Sequence, residues 1–231
     1  MKRLPFLLFF LFTTFVFSQK NIHHRWDGML KKFVSPSGQV NYKEWVKEQE
    51  NIENYLFTLA QFPPTERTSA AAQIAYWINA YNALTVQLIL KHYPVKSIKD
   101  IDNPWDTECF TVKGKEYTLG AIEHELLRKM GEPRIHFAIN CASVSCPKLL
   151  NEAYLEKKME LQLTEATRSF LKDTSKNVIT QKQVKLSRIF LWFGKDFGSK
   201  SERLDFIAKA VGFPLESPKI EYLPYDWNLN N

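Results

Sequence analysis

"SAAAQIAYWINAYNALTVQLILKHYP", residues 69–94, decides the fold. Ile74, Trp77, Ile78, Tyr81, Leu84 and Leu88 recur at the spacing of one helical face. The opposite side is almost as apolar, with Ala72, Ala75, Ala83, Val86 and Leu90. A helix that is hydrophobic all round is a buried one, so this segment is expected at the centre of the domain. Asn79 and Asn82 break the pattern. They are three apart, share a face, and must find polar partners inside the protein.

Working outward, "SPSG" at 35–38 reads as a turn between two helical patterns, the second running from Tyr42 to about Ala60, where "FPP" stops it. Downstream, "ECFTVKGKEYTL" at 108–119 reads as a hairpin around Lys113–Gly114. Thr118 is placed to cap a short helix that ends at Met130 before Gly131. Leu119, Ile122, Leu126 and Leu127 form its inner stripe, with His124 and Arg128 together on another face. "RIHFAINCASVSCP" at 134–147 alternates like a strand opened by Pro133, with Ile135, Phe137 and Ile139 on the core face and His136, Ala138 and Asn140 on the other. An amphipathic helix over 152–172, a second hairpin over 177–187, an aromatic segment at 188–197, a helix over 201–211 closed by Gly212 and a last short strand in 219–230 complete the chain. This order predicts a single α+β domain over 19–231: a helical lobe around a buried central helix, packed on a small antiparallel sheet.

Residues 1–18 read as a secretory signal peptide: Lys2 and Arg3, an apolar run from Pro5 to Phe17, and Ser18 at a cleavage point. The run is short for a membrane span, no later segment offers the ~20 apolar residues a spanning helix needs, and no cysteine follows the cleavage point to carry a lipid. The expected location is periplasmic or secreted, without a transmembrane anchor once the leader is removed. Two of the 31 Lys+Arg lie in the leader, which leaves 29 against 25 Asp+Glu and a charge of +4 on 213 residues. The positive residues are scattered and form no stripe interleaved with aromatics, which argues against nucleic-acid binding. The expected partner is a small molecule or peptide, and no cofactor is called for.

"YWINAYNAL" at 76–84, "AIEHELLR" at 121–128, "IHFAINCASVSCP" at 135–147, "FLWFGKDF" at 190–197 and "YDWNLN" at 225–230 together resemble the domain of unknown function 547 family, over roughly residues 25 to 230. The resemblance supplies positions and no reaction. It implies that Asn79, Asn82, His124, Arg128, His136, Ser143, Pro147 and Asp196 stand at family motif positions.

The three cysteines are Cys109, Cys141 and Cys146. Cys141 and Cys146 admit several readings. One is a thiolate nucleophile at Cys141 with His136 or His124 as base, an Asn orienting the imidazole, and the Ala142–Ser143 backbone facing an oxyanion. Another is a metal site made with the histidines, for which C-x4-C is wide and a second cysteine pair is missing. A third is a disulfide closing a tight turn in an oxidising compartment, and a fourth is a pair of inert thiols. Cys109, in a hairpin strand beside Phe110 and Val112, is expected to be the buried odd thiol. The site reading is therefore an exported hydrolase or transferase with His136, Cys141 and His124 as catalytic candidates, and Asn79, Asn82, Arg128 and Ser143 as substrate-binding ones. Asp196 leans to a structural role. The rival reading is a non-catalytic envelope binding or scaffold domain with a Cys141–Cys146 disulfide.

Overall fold

The structure, a computed structural model, describes residues 21–216 and 219–231, so the leader expected over 1–18 lies outside the described residues. The chain runs α1 (His24–Phe33), α2 (Tyr42–Trp45), α3 (Gln49–Gln61), α4 (Ala70–His92), β1 (Glu108–Val112), β2 (Lys115–Thr118), α5 (Leu119–Ala121), α6 (Met159–Lys172), β3 (Val178–Ile179), β4 (Val184–Leu186), α7 (Ile189–Trp192), α8 (Lys200–Val211) and β5 (Ile220–Tyr222). It is a helical α+β fold with a small sheet. No helix among the described residues is long and apolar enough to cross a membrane.

The central helix is as the sequence predicts. Ser69 caps α4 by accepting the Ala72 N–H, and the helix is buried on every side from Ile74 to Val86. Each of its large apolar side chains contributes about 1.5–3 kcal/mol by leaving water. α2 and α3 pack against it and α1 packs on those two, with Trp26 stacked on Tyr55 and Phe33 on Trp45. Gly38, in the turn after α1, has φ +89°, and a Cβ there would collide with Lys148. A second hydrophobic cluster lies under α6, α7 and α8, built on Phe137, Phe170, Phe190 and Phe197. β3 and β4 form the antiparallel hairpin expected at 177–187, and β5 joins β4 in parallel. The hairpin β1–β2 stands apart.

The strand expected at 134–140 is not there. Pro133–Phe137 is a 3₁₀ turn, and residues 135–140 are all buried, so there are no two faces for the sequence to alternate between. Two local groups override the strand pattern. Pro133 sits at the start of a helical turn, where its missing N–H costs nothing, and Glu132 caps the turn by accepting the Arg134 N–H. Asn82 then takes up the backbone of Ala138 and Asn140, as a ladder partner would. The helix expected from 152 is also shorter: a 3₁₀ turn at Glu156–Lys158 precedes α6.

Candidate functional site

Both asparagines of α4 are fully buried, and both spend each end of the amide on backbone. Asn79 donates to the Tyr154 carbonyl (2.8 Å) and accepts from the Tyr154 N–H (3.0 Å). Asn82 donates to the Ala138 carbonyl (3.0 Å) and accepts from the Asn140 N–H (2.9 Å). They hang loops on the central helix and leave no amide atom for a substrate, so they do not form the pocket wall anticipated for them. Asn82 does bring the 136–143 segment onto α4.

Thr118 caps α5 by accepting the Ala121 N–H, and the helix then widens into a π turn over Ile122–Leu127. The extra residue of a π turn re-aims side chains, and such turns recur at functional sites. Here it leaves His124 exposed and points Arg128 across to Asp196, in the 3₁₀ turn Gly194–Phe197. The guanidinium meets both carboxylate oxygens, Nε to Oδ2 at 2.6 Å and Nη2 to Oδ1 at 2.7 Å. Arg128 Nη1 also donates to His124 Nδ1 at 3.1 Å. The carboxylate beside the His124–Arg128 pair is the protein's own. The Arg128 fork is occupied by it rather than open to an anionic substrate.

Asp196 Oδ2 takes a second bond, from His136 Nε2 at 2.7 Å. With these donors, Arg128 first, its carboxyl is held down to about 2. His136 is buried and its ring stacks on Phe193, centroids 4.2 Å apart. Burial pushes its pKa down to about 4, only partly offset by Asp196. At neutral pH His136 is therefore the neutral imidazole with its proton on Nε2, and the Nδ1 lone pair faces the other way.

What Nδ1 faces is Glu123, with Oε1 3.9 Å away. Glu123 is buried, its Oε2 lies 3.5 Å from the Tyr81 hydroxyl, and loss of water raises its carboxyl to about 7 against the pull of Arg128. Glu123 is not among the site residues expected from the sequence. A signal was present: Glu123 stands four after Leu119 and four before Leu127, inside the apolar stripe of its own helix.

Cys141 and Cys146 are paired as a disulfide, Cα atoms 6.4 Å apart, which selects one of the four readings of these residues. While so paired, Cys141 has no thiolate to act as a nucleophile. Asn140 holds the turn, accepting from the Ala142 N–H and donating to the Pro147 carbonyl. Ala142 at its apex adopts φ +59°, a left-handed conformation rarely taken by residues with a Cβ. Ser143 is buried, and its hydroxyl donates to the Tyr225 hydroxyl at 3.1 Å. The Ser143–Leu229 bridge pairs this turn with the 225–230 segment, another contribution the sequence reading missed.

These groups line one cavity of about 260 Å³. Glu123, His124 and His136 supply its polar wall, Cys141, Cys146 and Pro147 a second, and Trp105, Trp192, Phe193, Tyr225 and Trp227 an aromatic one. The cavity lies where the two hydrophobic clusters meet, with Tyr81 and Ile139 on one side and Ile189 on the other. Among the described residues no three His, Cys, Asp or Glu side chains are grouped to hold a metal ion.

No curated protein and no solved structure matches the chain. Residues 65–171 match a family model described as "Protein of unknown function, DUF547", a narrower span than the motifs suggest because it stops short of Asp196 and the 225–230 segment; the chain is thereby similar to that family across α4, the π turn and the disulfide turn.

Proposed function

We propose that this chain is an exported acid–base enzyme of hydrolase or transferase type, with Glu123 and His136 as the proton-handling pair. The observation that carries the reading is Glu123: a buried carboxyl on a cavity wall with a pKa of about 7, opposite a neutral imidazole whose tautomer is fixed by Asp196. A group that titrates near the working pH can both take and give a proton, which is what general acid–base catalysis requires.

Glu123 takes a proton from water or an acceptor hydroxyl and returns it to the leaving group. Asp196 and Phe193 hold the His136 ring so that Nδ1 supports Glu123 through either step. Arg128 positions Asp196, and His124 sits at the rim. The aromatic wall receives the apolar part of a small molecule or peptide and excludes water. Export rests on the 1–18 leader.

A panel of chromogenic esters, amides and glycosides tests the reading. Turnover by the mature protein should fall at least ~10²-fold in both Glu123→Gln and His136→Gln, the usual size of a lost acid–base role, with thermal melts showing a folded protein. Carboxyl NMR should place the Glu123 transition near pH 7. Turnover unaffected by either change, or a Glu123 carboxyl titrating at its ordinary 4.5, overturns the proposal and leaves the scaffold reading.

A further inference from the structure

The disulfide is set in the cavity wall, and its two sulfurs are not equivalent. Cys141 is half-buried, while Cys146 is buried. Cys146 Sγ faces the Cys141 backbone N–H at 3.1 Å and the Tyr225 hydroxyl at 3.1 Å, whereas Cys141 Sγ meets the Tyr225 and Ser143 hydroxyls only at 3.5 Å. Tyr225 in turn accepts from Ser143 at 3.1 Å, so its own proton is directed at sulfur. Burial holds that phenol up to about 12, so it remains a donor at neutral pH. Two donors converging on one sulfur stabilise the negative charge that arises there when a disulfide is cleaved, and a stabilised thiolate leaves faster. The proposed acid–base reaction uses neither sulfur, and takes Tyr225 only as part of the aromatic wall.

We propose that Cys141–Cys146 is an exchange-active disulfide, attacked at Cys141 by a thiol admitted to the cavity, with Cys146 as the leaving thiolate. An incoming thiolate forms a bond to Cys141 Sγ, the Sγ–Sγ bond breaks, and its electron pair passes to Cys146 Sγ. The product is a mixed disulfide on Cys141. A second thiolate, from the same dithiol or from another thiol, then attacks the substrate sulfur of that mixed disulfide and releases Cys141. Two thiols become one disulfide, two electrons pass to the protein, and the two thiol protons end on Cys141 and Cys146. The exchange is stoichiometric and reversible.

The test uses the mature oxidised protein with glutathione as the probe thiol, followed by acid trapping and mass mapping. The expected result is a glutathione adduct on Cys141; in Cys146→Ser, where Cys141 is a free thiol, oxidised glutathione should leave a stable adduct on the same residue, releasing one glutathione as the leaving thiolate. Tyr225→Phe, checked for its fold by circular dichroism, should react about tenfold more slowly, because loss of one donor raises the leaving-group pKa and a thiol of higher pKa leaves more slowly. An adduct on Cys146, a disulfide that glutathione leaves intact, or a folded Tyr225→Phe protein that reacts at the wild-type rate overturns the proposal.

Discussion

His136 Nε2 and Asp196 Oδ2 lie 2.7 Å apart, and this bond decides which nitrogen of the buried imidazole carries the proton. Asp196→Asn keeps the shape and removes the charge. The new amide can donate to Nε2, so the ring should move its proton to Nδ1, the side facing Glu123. Imidazole ¹⁵N shifts read this directly. Activity should fall by at least ~10²-fold, and stability by about 1–3 kcal/mol, because the Arg128 fork loses its carboxylate.

Glu123 and His136 pull the pH dependence of stability in opposite directions. The folded pKa of Glu123, about 7, lies above its ordinary 4.5, so its contribution is complete below 4.5 and is lost as pH rises through 7. The folded pKa of His136, about 4, lies below 6.5, so its contribution is present above 6.5 and is lost as pH falls through 4. His23, buried against Tyr55 and likewise lowered to about 4, acts in the same sense as His136. Glu123→Gln removes only the first effect. The stability of this variant relative to wild type should therefore rise between pH 5 and pH 8, by up to about 3 kcal/mol. Urea denaturation at the two pH values measures it. A difference that is flat or falling with pH would contradict the placement of this carboxyl.

Asn82→Ala should cost about 2–4 kcal/mol, because it leaves the Ala138 carbonyl and the Asn140 N–H buried without partners. Asn79→Ala should cost a similar amount through Tyr154. Chemical denaturation of the two variants gives both values, and a loss under ~0.5 kcal/mol, the range of ordinary surface changes, would show that neither amide anchors its loop.

Cys109 should be the slow thiol. Its Sγ donates to the Tyr117 carbonyl at 3.6 Å, and burial raises its pKa to about 11. At pH 7 iodoacetamide should label it roughly 10²-fold more slowly than an unfolded cysteine, because only the thiolate reacts. Denaturation without reductant should expose this one thiol, and reduction should bring the total to three.

The parts of this protein that were legible in the sequence are those governed by local pattern. An all-round apolar run specifies α4, Thr118 and Gly212 mark helix ends, and two β-rich runs about Lys113–Gly114 make the first hairpin. The 134–140 segment was misread because its alternation is real but its environment is not a sheet. One distant amide, Asn82, supplies the backbone partners that a neighbouring strand would supply. His136, His124 and the two cysteines were found because their residue types are rare and reactive. Glu123 was missed because carboxylates are common on helices, and only its place within an apolar stripe distinguishes it. Tyr225 and Trp227 reach the cavity through pairing between residues more than eighty positions apart, which no local pattern encodes.

That distant pairing sets an order of events during biosynthesis. The Val144 N–H bonds to Asn228, Asn230 to Ala142, Val40 to Asn230 and Leu229 to Lys96, so residues 226–230 stitch the disulfide turn to both the first helices and the loop after α4. A ribosome adding about 5–20 residues each second delivers α4 roughly 7–27 seconds before these residues emerge. Throughout that interval the nascent chain holds a folding core and an unfinished cavity, its aromatic wall still unmade. The chemistry proposed for Glu123 and for the disulfide waits on the arrival of Tyr225 and Trp227, and a translation product interrupted before this segment lacks that part of the cavity wall.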